Sequence, residues 1–191
     1  MDLSNVRVIL ASKSPRRCEL LSKICRDFEI ITREVDETLP FGVLPRDGVE
    51  MLAIRKGEIV SKENPDALVL SSDTLVEVDD VPLGKPQSRL NAFEMLQTLS
   101  GRAHNVHTGV AIHYRGRCYS ATASSHVYFK ELSDGEIWQY IDTGEPMDKA
   151  GAYGIQGEGG KFVVKYDGDF DTIMGLSLRV SRELIERALH E

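Results

Sequence analysis

The sequence predicts an α/β fold in which a mixed, twisted sheet carries helices on its flanks. Three observations predict it. A short apolar strand at Val6–Ala11 runs through a tight turn straight into a helix. Two long strands, Asn105–Arg115 and Cys118–Lys130, flank Gly116 as an antiparallel hairpin. Segments of helical periodicity are interleaved with these strands rather than segregated from them, the pattern of an α/β chain.

The elements follow in order. After Val6–Ala11, Ser14 suits an N-cap and Pro15 the first helical position, and Leu20, Leu21, Ile24 and Phe28 recur at helical spacing. Phe28–Thr32 reads as a second strand. Val35-Asp36-Glu37 and Pro40–Pro45 read as loop. A helix is expected from about Asp47 to Lys62, with Val49, Leu52, Ile59 and Val60 as its apolar stripe. Ala67–Leu70 is a buried strand that ends in Ser71-Ser72-Asp73-Thr74. Leu75–Val78 and Val81–Leu83 form a hairpin about Asp79-Asp80, closed by Gly84-Lys85-Pro86. Ser88–Leu99 is a helix with Leu90, Phe93 and Leu96 inward, stopped at Gly101. Ser133 and Glu136 make a capping box for a helix through Ile141. A glycine-rich stretch from Glu145 to Gly160, a strand at Lys161–Tyr166 and a helix at Leu178–Leu189 complete the chain.

At 191 residues, 41% hydrophobic and 28% charged, the chain suits one domain, residues 1–191, with a sizeable core. No apolar run is long enough for a membrane helix, and the N-terminus lacks the pattern of a secretory signal. Cys18, Cys25 and Cys118 form an odd set without a C-x-x-C pair, which points to reduced thiols in a cytoplasm. A net charge of −7 argues against a nucleic-acid polymer as partner. A small anion needs only a few local cations.

Several residues suit such an anion. A helix N-terminus offers unpaired N–H groups. Ser12 and Ser14 add hydroxyls there, and Arg16 and Arg17 add planar forks that match phosphate. Read alone, the same turn is equally a capped helix with solvated arginines. Lys56 falls on an apolar helix stripe, four residues after Leu52 and three before Ile59. It must snorkel, pair or point into a cleft. Asp73, expected just past a strand end, suits a metal ligand or a base, or simply a turn. Thr74 beside it allows either use. Lys85 is held between glycine and proline. The segment Thr143–Gly157 combines four glycines with Glu145 and Asp148, possible metal or water partners, and with Gln156, which offers both a donor and an acceptor. The five histidines form no recognisable site, and His104 and His107 are expected to face opposite sides of a strand.

Together the motifs resemble the Maf family of nucleotide pyrophosphatases over nearly the whole chain. They are A-S-K-S-P-R-R at Ala11–Arg17, Lys56, S-D-T at Ser72–Thr74, G-K-P at Gly84–Pro86, S-G-R at Ser100–Arg102 and G-E-P-M-D-K-A-G-A-Y-G-I-Q-G at Gly144–Gly157. The resemblance implies an elongated, two-lobed domain with a central cleft, of the kind shared with inosine triphosphate pyrophosphatases, and often a homodimer. It implies hydrolysis between the α and β phosphates to a monophosphate and pyrophosphate, with a divalent cation, Mg²⁺ or Mn²⁺. Arg16, Thr74 and Gln156 match the specificity positions of the branch acting on dTTP and UTP, rather than those of the branch acting on 7-methyl-GTP.

On that basis Asp73, Lys56 and Lys85 are the expected catalytic group, with Asp73 as base toward water. Ser12, Ser14, Arg16, Arg17, Thr74, Lys149 and Gln156 are expected to bind and select the substrate, and Asp73, Glu145 and Asp148 to hold the metal. Two other readings share these residues: removal of modified pyrimidine nucleotides alone, and a nucleotide-binding regulator of cell division without turnover. Gly57 and Ser177 depart from the family pattern, which commonly has alanine and proline there.

Overall fold

The computed structural model describes residues 3–191. Its sheet has seven strands in the order β2-β1-β3-β5-β6-β7, with β4 paired to β3 outside that path. The strands are β1 (Val8–Leu10), β2 (Glu29–Ile30), β3 (Leu68–Val78), β4 (Val81–Leu83), β5 (Ala103–Tyr114), β6 (Arg117–Phe129) and β7 (Val163–Asp167). The helices are α1 (Pro15–Ser22), α2 (Pro45–Glu63), α3 (Arg89–Leu99), α4 (Asp134–Asp142), α5 (Phe170–Met174) and α6 (Leu178–His190). The strand β1 runs parallel to both β2 and β3, whereas β3–β4 and β6–β7 are antiparallel. The sheet is therefore mixed, as the sequence predicts.

The chain divides into two compact units. The first comprises Met1–Thr74, Thr108–Ala123 and Gly175–Glu191; the second comprises Leu75–His107 and Ser124–Met174. In the first, Ile9, Ala11, Val60, Ala67 and Val69 form a core cluster. In the second, Val78, Leu96, Val127, Phe129, Ile137 and Phe162 belong to a larger one.

Several expected boundaries moved, and two of the shifts bear on the site. The strand β3 does not end at Leu70 but continues to Val78, so Asp73 lies in mid-strand. Serines look like a strand end in a sequence because their hydroxyls compete for backbone partners. Here tertiary carbonyls satisfy them. Ser71 donates to Ala53 O at 2.6 Å, and Ser72 Oγ lies 2.8 Å from Gly109 O and 3.0 Å from Gly175 O, sharing its one proton between them. The helix α2 begins at Pro45, two residues before the expected start, with proline in its first turn. Its buried face is Val49, Leu52, Ala53, Gly57 and Val60, and Ile59 is exposed. Leu90 is likewise exposed at the start of α3, which buries Ala92, Leu96 and Leu99 instead.

Both departures from the family pattern have a local reason. A Cβ on Gly57 would lie 2.5 Å from Ser71 Oγ and 2.6 Å from His113 Nδ1, so those side chains occupy the room an alanine methyl needs. Ser177 caps α6, accepting from Val180 N at 3.3 Å. The capping box of Ser133 and Glu136 on α4 is present as expected.

Candidate active site

In the first unit the turn at Ser12–Arg17 sits between β1 and α1. Ser14 holds the N-cap position of α1, yet its side chain makes no capping bond, which leaves the hydroxyl to other uses. Ser14 N donates to Ser12 Oγ at 3.2 Å. Arg17 reaches back across the turn. Its Nε donates to Gly175 O at 2.8 Å, Nη1 to Ser12 Oγ at 3.3 Å and Nη2 to Thr74 Oγ1 at 3.2 Å. All three acceptors are neutral oxygens, so the guanidinium is aimed without being neutralised. Burial pulls its pKa down, with Asp73 acting in the opposite sense. Gly175 has φ of +118°, a conformation side chains resist, and its carbonyl serves Arg17, Ser72 and Thr74 together.

Lys56 answers the question its position posed. It points inward and is paired on two sides. Its Nζ lies 2.5 Å from Asp73 Oδ1 and 2.8 Å from Glu37 Oε1. Lys56 and Asp73 are 19% and 13% exposed, Glu37 62%. Partial burial matters here, because an ion pair shielded from water is stronger and less salt-sensitive than a surface one.

Glu37 was not singled out in the sequence, where it is one acid in a loop. Arg55, the residue before Lys56, delivers it. Nη1 of Arg55 donates to Asp36 O at 3.1 Å and to Thr38 O at 2.7 Å, the two carbonyls that bracket Glu37. Asp36 Oδ1 also accepts from Thr38 N at 2.9 Å, an Asx turn that tightens the same loop. A pocket of about 630 Å³ opens beside these groups, lined by Ser12, Lys13, Arg17, Arg33, Glu37 and Lys56 among others. That volume is within the range of small-molecule sites.

The first unit thus brings together Ser12, Arg17, Lys56, Asp73 and Thr74. Arg16 and Ser14 lie on the same turn, half-buried.

In the second unit the glycine-rich segment is organised around Glu145. Oε1 of Glu145 accepts from Tyr140 Oη at 2.8 Å and Gly159 N at 3.2 Å, and Oε2 from Glu158 N at 2.9 Å. Burial pushes the Glu145 carboxyl up, but these donors and Lys149 outweigh it and hold the pKa below the usual value. A Cβ on Gly157 would lie 2.4 Å from Glu145 Oε2, which explains the glycine there. Lys149 donates to Glu145 O at 2.8 Å and Asp148 Oδ1 at 2.7 Å. Gly151 N donates to Gly84 O at 3.1 Å, tying the loop of Lys85 to this segment. Lys85 and Gln156 are exposed.

Among the described residues no three histidine, cysteine or acidic side chains converge as a metal cluster. Glu145 spends both carboxylate oxygens on the surrounding turn. The donor set that fits a hard divalent cation is Asp73 with Glu37, whose oxygens already meet around one positive charge. Mg²⁺ commonly takes one or two carboxylates and completes its shell with phosphate oxygens and water.

A family model described as Maf-like protein matches residues 7–188. The chain belongs to the Maf family. Similar curated proteins include a dTTP/UTP pyrophosphatase of Bacillus velezensis, 47% identical over 170 residues that cover 89% of this chain and 90% of the relative. Another is a dTTP/UTP pyrophosphatase of Bdellovibrio bacteriovorus, 42% identical over 187 residues, 94% of this chain and 97% of the relative. A third, from Bacillus anthracis, carries the same name and is 45% identical over 179 residues, 93% and 94% of the two chains. The solved structure of the Staphylococcus aureus Ham1 protein aligns over 95% of both chains, with a TM-score of 0.48 and 19% identity. No described helix of this Maf chain is long and apolar enough to cross a membrane, and its three cysteines are free thiols.

Proposed function

We propose that this chain is a nucleoside triphosphate pyrophosphatase that cleaves dTTP and UTP between the α and β phosphates, releasing the monophosphate and pyrophosphate. The observation that carries the proposal is Lys56, held between Asp73 and Glu37 at the edge of a pocket that Arg17 also lines. The three curated relatives named for this activity support it.

Phosphoryl-type transfer asks a protein mainly to position the reactants and stabilise charge. Arg17 supplies a fork held in place by Gly175, Ser12 and Thr74, ready for the phosphate chain. Lys56 turns toward the triphosphate when it binds, and Asp73 then accepts a proton from the attacking water. The ammonium of Lys56 and the guanidinium groups of Arg16 and Arg17 offset the charge that grows on the departing pyrophosphate. Asp73 and Glu37 would hold a divalent cation, which would supply further neutralisation of phosphate charge. For Ser14, Lys85, Lys149 and Gln156 the support is the motif match: Lys85 as a further phosphate cation, Gln156 as the reader of the edge that uracil and thymine share. Free thiols and the lack of a membrane helix among the described residues are in keeping with work in the cytoplasm.

Measuring pyrophosphate release from dTTP, UTP, CTP and GTP with Mg²⁺ or Mn²⁺ tests the proposal. Preference for dTTP and UTP supports it; equal turnover of all four removes the base assignment.

A further inference from the structure

Three neighbouring strands each contribute one side chain to a single line of hydrogen bonds in the second unit. They are Glu77 on β3, His107 on β5 and Ser124 on β6, strands adjacent in the sheet. Glu77 Oε2 lies 3.0 Å from His107 Nε2, and His107 Nδ1 lies 2.7 Å from Ser124 Oγ. Glu77 is fixed from two further directions. Asn105 Nδ2 donates to Oε2 at 2.9 Å, and Asp80 N donates to Oε1 at 3.0 Å. Glu77 and His107 are buried, 8% and 6% exposed, whereas Ser124 is exposed.

Chemistry sets the polarity of this line. Burial alone pushes the Glu77 carboxyl up, but the donors Asn105, His107 and Asp80 N outweigh it and hold its pKa below the usual value. An ionised carboxylate only accepts, so His107 Nε2 carries the proton. Whenever the ring is neutral, Nδ1 is then a lone pair within 2.7 Å of Ser124 Oγ, placed to accept its hydroxyl proton. A carboxylate that fixes the tautomer, an imidazole that takes the proton and a hydroxyl open to solvent are the parts of an activated serine. Nucleotide chemistry at Lys56 and Asp73 uses none of them.

We propose that Ser124 is a reactive nucleophile, activated by His107 and Glu77, that takes acyl groups from small activated carboxylic esters. Ser124 Oγ bonds to the ester carbonyl carbon as its proton passes to His107 Nδ1. The bond from that carbon to the leaving oxygen breaks, the alcohol departs with the proton from His107, and acyl-Ser124 remains. Water then cleaves the acyl–Oγ bond to give the carboxylic acid and restore the serine.

The test uses 4-nitrophenyl acetate on the full chain, with nitrophenolate release followed in time and the modified residue mapped by mass spectrometry. A fluorophosphonate probe, whose adduct water does not readily remove, covers the case of fast deacylation. Expected are an early burst, an adduct on Ser124 and loss of both in Ser124→Ala, whose pyrophosphatase activity is unchanged. Glu77→Gln or His107→Gln, checked for folding by circular dichroism, should slow labelling at least tenfold. An adduct only on lysines, a burst that survives Ser124→Ala, or labelling that is indifferent to both relay variants would overturn the proposal.

Discussion

Lys56 Nζ lies 2.5 Å from Asp73 Oδ1, joining a helix and a mid-strand position 17 residues apart in the chain. Each group constrains the other. Removal of either one strands a partly buried charge beside the pocket.

Substitution of Asp73 by asparagine keeps the shape and removes the basic carboxylate. The expected loss in kcat toward dTTP is about a hundredfold or more, in line with removal of a general base. Lys56→Met is expected to lose a similar factor, with Asp73 and Glu37 left to repel the triphosphate. Steady-state pyrophosphate release measures both. Full activity in Asp73→Asn would take Asp73 out of the chemistry.

Arg55 touches no reacting group in this account, yet it holds the carbonyls on both sides of Glu37. Hydrogen bonds from a charged donor contribute about 1.5–3 kcal/mol each. Arg55→Met should therefore release the loop, lower kcat/KM about tenfold, and speed proteolytic cleavage near Glu37. An unaltered cleavage rate would separate Arg55 from the loop.

How much of this was legible in the sequence depends on range. The Ser14-Pro15 helix start and the Ser133–Glu136 capping box are local, and the structure has them where the sequence put them. Lys56 was visible because it broke an apolar stripe. Asp73 was assigned to a strand end because Ser71 and Ser72 look like a break, and only distant carbonyls reveal otherwise. Glu37 was invisible for the same reason: its position is set by Arg55, 18 positions along the chain. The helix α5 has five residues, too few for a period to emerge. His104 and His107 do go to different partners, but the line from Glu77 to Ser124 needs three strands to be brought side by side.

His104 carries a pH dependence of stability. Its Nε2 lies 2.8 Å from Tyr153 Oη, its ring meets Phe129 edge-on, and its Nδ1 has no partner among the described residues. Burial lowers its pKa from 6.5 to about 4. The unfolded chain therefore binds this proton first as pH falls, so the contribution to stability is complete above pH 6.5 and is lost from there down to about pH 4. At pH 5 the loss from this group is about 2 kcal/mol. Urea denaturation of the native chain and of His104→Gln at pH 7.5 and pH 5 checks it: the native chain should lose more stability than the variant on acidification.

Everything proposed for the Lys56–Asp73 site rests on cleavage between the α and β phosphates of a pyrimidine nucleoside triphosphate. The most direct measurement is product identification by ion-exchange chromatography after incubation with dTTP and a divalent cation. Expected are dTMP and pyrophosphate in equal amounts, both lost in Asp73→Asn. Formation of dTDP and orthophosphate, or intact dTTP bound without turnover, would contradict it.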